Sequence, residues 1–203
     1  MITIIDLGLG NVNSVMRALN YLKVSNRVSS EISDLEEAEK LIFPGVGNFF
    51  EASKRLEING MKQAIREQVL ELGKPILGIC LGMQLLANEG EEGGISKGLG
   101  LIDGRVVRMS SEKVGLRLPH IGWNDVSHRN LKLFSGIDEN ACFYFVHSYA
   151  LELEGDVEHS LSNYGTDFVA AVKKDNIIGT QFHPEKSQKD GLKLLTNFVN
   201  GVF

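Results

Sequence analysis

The chain predicts a doubly wound α/β fold, a mostly parallel sheet with helices on both faces, extended by an antiparallel region. Three observations carry this prediction. Short apolar runs alternate with segments of helical period through the first half. Glycines sit at the switches between them. The second half turns instead to successive strand-like runs joined by tight turns. Alternation of the first kind is what a parallel sheet covered on both faces requires.

The elements follow in order. Ile2 to Leu7 is a β-branched, apolar run that ends in glycines. From Asn13 to Leu22, the residues Val15, Met16, Leu19 and Leu22 recur at helical spacing. Lys40 to Phe43 is the next strand, expected to stop at Pro44-Gly45. Ile58 to Leu72 reads as one helix with Met61, Ile65, Val69 and Leu72 on a single face. Pro75 to Ile79 is a buried strand, and Gly82 to Ala87 opens another helix. Beyond it, Gly98 to Met109, Val126, Ala141 to Leu151 and Phe168 to Phe182 contribute mostly strands, with Asp175-Asn176 as a hairpin turn. Gly191 to Val199 closes the chain as a helix bearing Leu192, Leu195 and Phe198. No linker-like stretch, repeat or low-complexity segment interrupts residues 1–203, which read as one domain.

Composition narrows the functional classes. The 203 residues are 43% hydrophobic and 23% charged, enough for a full core. A net charge of -5 argues against a protein that grips nucleic acid or an anionic membrane. The N-terminus lacks the basic start and long apolar stretch of a signal peptide, and no apolar run approaches the roughly 20 residues of a membrane span. A cytoplasmic protein with reduced thiols is the expectation. Its two cysteines, Cys80 and Cys142, form neither a disulfide framework nor a C-x-x-C motif.

Gly78-Ile79-Cys80-Leu81-Gly82 is the most informative segment. A buried strand runs into a cysteine flanked by glycines at i-2 and i+2, and a helix follows. That is the pattern of a nucleophile elbow, where side chains at the glycine positions would clash. The positive end of the helix dipole would favour a thiolate there. Cys142, inside the strand-like ACFYFV, reads as a packing residue.

A thiol nucleophile needs a base held by an acceptor. Gln181-Phe182-His183-Pro184-Glu185 supplies the best candidates, with His183 taking the thiol proton and Glu185 fixing its tautomer. A zinc site from Cys80, His183 and Glu185 finds no further ligand cluster of typical spacing. The order of groups also differs from nucleophile, acid, His, as in α/β-hydrolases, which weakens an esterase reading.

GICLGMQLL together with QFHPEKS resembles the class I, triad-type glutamine amidotransferases. DLGLGN, Pro44-Gly45-Val46-Gly47, the segment Leu118 to Asn124 (LPHIGWN) and Tyr144 to Tyr149 (YFVHSY) narrow the resemblance to the glutaminase subunits of histidine biosynthesis. The resemblance covers essentially the whole chain. It implies a flavodoxin-like fold and hydrolysis of glutamine by a triad of Cys80, His183 and Glu185. Gly45, Val46, Gly47 and Leu81 would supply the oxyanion donors, and Gln84, Ser148 and Tyr149 would hold the substrate. Asn11, Pro119, His120, Trp123, Asn124 and Lys186 would lie near the face that docks a (β/α)8 synthase or cyclase subunit in a heterodimer. No metal and no organic cofactor are implied.

Several of these residues read differently on their own. Pro-Gly-Val-Gly alone is a strand-ending turn, Gln84 a polar helix residue and Trp123 a core residue. PHIGWN reads as an exposed loop. Related glutaminases that serve the amination of a sugar nucleotide in surface-polysaccharide synthesis share the same motifs, so the acceptor stays open at this level. A self-contained cysteine hydrolase is the reading from another class.

Overall fold

The computed structural model describes residues 1–111, 115–127 and 131–203, except for the side chain of Asn59. The first half alternates strands and helices as expected. These are β1 (Ile2–Ile5), α1 (Val12–Tyr21), β2 (Asn26–Ser29), α2 (Ile32–Glu37), β3 (Lys40–Gly45), α3 (Phe49–Leu56), α4 (Met61–Arg66), β4 (Ile76–Cys80) and the single turn α5 (Leu81–Gln84). The second half is mainly strands: β5 (Ala87–Gly90), β6 (Ser96–Lys97), β7 (Ile102–Arg108), β8 (His120–Asp125), β9 (Cys142–His147), β10 (Tyr149–Leu153), β11 (Glu158–Asn163), β12 (Asp167–Lys174) and β13 (Ile177–Thr180). The helix α6 (Gln188–Val199) ends the fold.

The main sheet has seven strands in the order β11-β12-β13-β4-β3-β1-β2. From β13 to β2 every pairing is parallel, while β11 and β12 are added antiparallel at one edge. A four-stranded sheet β10-β7-β5-β6 and the hairpin β8-β9 form the added region. Central strands of a parallel sheet are buried on both faces and so read as unbroken apolar runs. Every residue of β1 and of β4 is buried. One face packs Val15, Leu19, Leu194, Leu195 and Phe198 of α1 and α6 against Ile4, Ile42, Leu77 and Ile79. The other packs Phe49, Leu56 and Ile65 of α3 and α4 against Ile5, Phe43 and Ile76. Among the described residues no helix is long and apolar enough to cross a membrane. The two-residue hairpin turn falls where expected, with Lys174 opposite Ile177 and Asp175 at φ 54°.

Five expectations are corrected. β3 does not stop before Pro44 but runs through Gly45. Its pairing with β1 ends at Ile42, so the proline falls where that side of β3 is already an edge. Residues 58–72 are not one helix. Gly60, at φ 74°, separates a short 3-10 turn from α4, and a π-helical turn occupies Glu67–Glu71. The extra residue in a π turn rotates the helix face, leaving Val69 buried and Leu72 65% exposed. The helix expected from Gly82 to Ala87 lasts one turn, because Leu85, Leu86 and Ala87 are all fully buried and the chain passes directly into β5.

PHIGWN is not a loop but strand β8, with His120 opposite His147 and Trp123 opposite Tyr144. Strand alternation turns His120 inward and Ile121 and Trp123 outward. The same alternation corrects Cys142. Phe143 and Phe145 point to the core, so Cys142 is exposed.

Candidate active site

Cys80 ends β4 and begins α5 with φ 54° and ψ -109°. A non-glycine residue held there costs about 1–3 kcal/mol, so its surroundings must enforce the turn. They do so through close backbone packing. A Cβ on Gly82 would collide with the Phe43 carbonyl oxygen, and one on Gly78 would sit 2.8 Å from the Gly82 carbonyl oxygen and the Met83 Cα. The two glycines let α5 lie directly on β3 and β4, which presents Cys80 at the rim of a cavity. Because α5 is a single turn, its dipole adds little at Cys80.

The chain after β13 carries His183, whose side chain, like that of Glu185, is fully buried. The His183 N–H donates to the Tyr144 carbonyl at 2.9 Å, and Ser187 Oγ donates to the His183 carbonyl at 2.7 Å. These bonds fix the backbone on both sides of the ring. His183 Nδ1 lies 2.8 Å from Glu185 Oε1, and Asn11 Nδ2 donates to the same oxygen at 2.8 Å. A carboxylate only accepts, so Nδ1 carries the proton and Nε2 is left for Cys80. Nε2 has no hydrogen-bond partner within normal limits, nor has Glu185 Oε2. Burial disfavours the imidazolium, but the Cys80 charge and the Glu185 carboxylate outweigh it and raise the His183 pKa to about 10.

The glycine segment expected to carry oxyanion donors is adjacent. Gly45 is the register partner of Cys80 across β3 and β4. The Val46 N–H, however, donates to the Leu9 carbonyl at 3.0 Å. In this state it serves the β1–α1 loop and not the cavity. Gly47 stands at φ 113°, a conformation open to glycine.

The cavity beside Cys80 holds about 340 Å³ and is lined by Gly47, Leu81, Gln84, Glu92, Ser148 and Tyr149, among others. Gln84 Nε2 donates to the Tyr149 carbonyl at 2.9 Å and to Gln181 Oε1 at 3.0 Å. Gln181 Nε2 in turn lies 3.8 Å from Cys80 Sγ. A larger open cleft of about 950 Å³, lined in part by Asp6, Ser30 and Arg55, contains none of the triad.

Two site residues escape a reading from sequence. Glu92 reaches the cavity because its Oε2 accepts the Phe49 N–H at 2.9 Å, and burial raises its pKa. In sequence it is one acid among Glu89, Glu91 and Glu92, with nothing to mark it. Gln181 stood within the histidine motif, but only the fold shows its side chain between Gln84 and Cys80.

The residues expected at a docking face divide. Trp123 is 48% exposed and meets Tyr144 edge-on at 6.1 Å, and Lys186 Nζ lies 5.7 Å from the Tyr144 ring centroid. Pro119 is exposed at the cavity rim. Asn124 donates to the Asn163 carbonyl at 2.8 Å. His120 is only 3% exposed, which removes it from any surface. Asn11 turns its side chain to the triad.

Comparison with known proteins agrees with this geometry. Residues 3–202 match the family described as glutamine amidotransferase class-I. Imidazole glycerol phosphate synthase subunit HisH 1 of Campylobacter jejuni (strain RM1221) is 48% identical over 200 residues, covering 98% of this chain and 99% of that protein. Imidazole glycerol phosphate synthase subunit HisH of Methanosarcina barkeri (strain Fusaro / DSM 804) is 44% identical over 202 residues, covering 98% of each. A solved structure described as a glutamine amidotransferase superposes with a TM-score of 0.76 at 22% identity, covering 98% of this chain and 97% of that one, a likeness of fold. The chain belongs to the class I glutamine amidotransferases and, among them, to the family of the HisH subunits.

Proposed function

We propose that the chain is the glutaminase subunit of imidazole glycerol phosphate synthase. It hydrolyses glutamine to glutamate and ammonia and passes the ammonia to a (β/α)8 cyclase partner in a cytoplasmic heterodimer of histidine biosynthesis. The observation that carries the chemistry is Cys80 on the wall of the 340 Å³ cavity, with the buried His183–Glu185 pair held together at 2.8 Å behind it. The full-length likeness to HisH subunits supports the histidine acceptor over a sugar nucleotide.

The Cys80 thiolate attacks the side-chain amide carbonyl of glutamine, and the negative charge moves to the carbonyl oxygen. His183 Nε2 gives its proton to the departing nitrogen, so ammonia leaves and a glutamyl thioester remains on Cys80. Neutral His183 then takes a proton from water. The resulting hydroxide opens the thioester, which frees glutamate and restores the ion pair. Glu185 holds the imidazole through Nδ1 during both steps. Glu92, a carboxylate on the cavity wall, is suited to the α-ammonium of glutamine. Gln84, Ser148 and Tyr149 hold the rest of the substrate.

Ammonia freed into neutral water is mostly protonated and no longer nucleophilic, so a docked acceptor enzyme is required. The outward face of the β8–β9 hairpin, with Ile121 and Trp123 exposed beside Lys186, suits such a partner. Val46 bound to Leu9 is the resting arrangement. Partner and acceptor act by favouring the state in which that N–H turns to the oxyanion. The test of the chemistry is Cys80→Ala in the assembled enzyme. Glutamine-dependent synthesis should be lost while ammonium still supports it; glutamine turnover within tenfold of wild type would refute the assignment.

A further inference from the structure

His120 and His147 are buried histidines that the proposed chemistry does not use, at 3% and 6% exposure. They lie opposite each other in the β8–β9 register, and their rings pack among Phe145, Tyr164 and Phe168. Hydrogen bonding fixes their protons. His147 Nδ1 lies 2.9 Å from the Tyr149 carbonyl, which only accepts, so Nδ1 is the donor. In the neutral ring Nε2 is then an acceptor. It meets His120 Nδ1 at 3.2 Å, so that nitrogen is also a donor. His120 Nε2 is left as an acceptor, 3.5 Å from Asn124 Nδ2. Burial lowers both pKa values, His120 to about 4 and His147 to about 3, so the pair is neutral at physiological pH.

The Tyr149 carbonyl also accepts Gln84 Nε2 at 2.9 Å, which uses both its lone pairs. Two donors therefore hold it, Gln84 and the histidine pair. We propose that His120 and His147 are positioning residues for glutamine binding: as a tandem of Nδ1–H tautomers they tie the Ser148–Tyr149 wall of the cavity to β8, whose opposite face presents Ile121 and Trp123. This rests on the reading of the site as a partner-coupled glutaminase. His147 also lines the cavity, and the pair acts through the Tyr149 carbonyl.

The tautomers set an asymmetric test. An asparagine amide overlays Nδ1, whereas a glutamine amide overlays Nε2. His147→Asn therefore keeps the donor to Tyr149, and His147→Gln removes it. Both lose the ring packing, and His147→Asn also loses the acceptor for His120 Nδ1. With the (β/α)8 cyclase of the same genome and its ribonucleotide substrate, His147→Asn should keep the KM for glutamine within about threefold of wild type. His147→Gln should raise it about tenfold with less change in kcat, as loss of a buried hydrogen bond implies. Equal KM values for the two variants, or KM values that follow their thermal stabilities, would overturn the proposal. Failure of the wild-type complex to release glutamate would instead sink the glutaminase reading. Nitrogen-15 NMR of the free wild-type chain reads the tautomers without any activity. Both rings should carry the proton on Nδ1, and an Nε2–H form of His147 contradicts the proposal whatever the variants do.

Discussion

Asn11 Nδ2 donates to the Glu185 oxygen that also accepts His183 Nδ1, at 2.8 Å in each case. Asn11 is the N-cap of α1, yet its side chain makes no capping bond. An asparagine cap is ordinarily worth about 1 kcal/mol to its helix. Here the amide is diverted to the acid of the triad. Asn11→Ala should lower kcat of the partner complex about 10- to 100-fold, as expected for a lost bond to a charged group. Asn11→Asp should lower it further, since two carboxylates would then face each other. Steady-state kinetics with a thermal melt of each variant check this. Full activity in Asn11→Asp would remove Asn11 from the catalytic arrangement.

Glu185→Gln keeps the size of the side chain but loses its charge and one acceptor oxygen. Turnover should fall by about 10²–10⁴, the upper value matching the analogous change in a serine triad. A drop smaller than about fivefold, with His183→Ala inactive, would point to a different acceptor for Nδ1. Cys142→Ala should leave activity and stability nearly unchanged, because that thiol is exposed and opposite Asp125.

The histidines set opposite pH limits. The His183 pKa is raised to about 10, so its contribution to stability is complete below the ordinary value of 6.5 and is lost as pH rises through about 10. His120 and His147 are lowered to about 4 and about 3. The unfolded chain therefore binds protons that the folded one refuses, and stability falls as pH drops from 6.5 through that range. Each histidine costs at most about 1.4 kcal/mol per pH unit. Urea unfolding between about pH 7 and pH 5 should show this slope, and His120→Phe with His147→Phe should flatten it. An unchanged slope in the double variant would contradict the assignment.

Trp123 stands 48% exposed beside Tyr144 and at the edge of the site. A buried interface tryptophan typically contributes about 2–4 kcal/mol. Trp123→Ala should therefore weaken binding to the cyclase by roughly 30- to 1,000-fold in a titration. Its thermal stability as a free chain should barely change. Unaltered affinity would move the docking face away from β8.

What was legible in the sequence had local causes. The G-x-C-x-G elbow is visible because Gly78 and Gly82 each exclude a Cβ by backbone contact within a few residues of Cys80 or from the neighbouring β3. The parallel strands are visible because burial on both faces leaves unbroken apolar runs such as Ile76 to Ile79. Other features depend on partners far along the chain. β8 is hidden because its pairing with β9 is what turns His120 inward, and the intervening residues give no hairpin signal. The Leu9 carbonyl and the Val46 N–H are backbone groups, which no side-chain pattern records. Glu92 is selected from its acidic neighbours only by its bond to Phe49.

The central claim is a glutaminase held in check by the Val46–Leu9 bond and released by a docked, substrate-bound cyclase. To convert a state populated about 1% into one populated about 99%, partner and ligand must favour it by about 5.5 kcal/mol. The direct measurement is glutamate release by the chain alone, with the cyclase of the same genome, and with cyclase plus its ribonucleotide substrate. The free chain should be nearly silent. The full assembly should be stimulated about 100-fold, the ratio of the two populations and within the range of one oxyanion donor. A free chain as active as the assembly, or stimulation only by a partner that amidates a sugar nucleotide, would contradict the account.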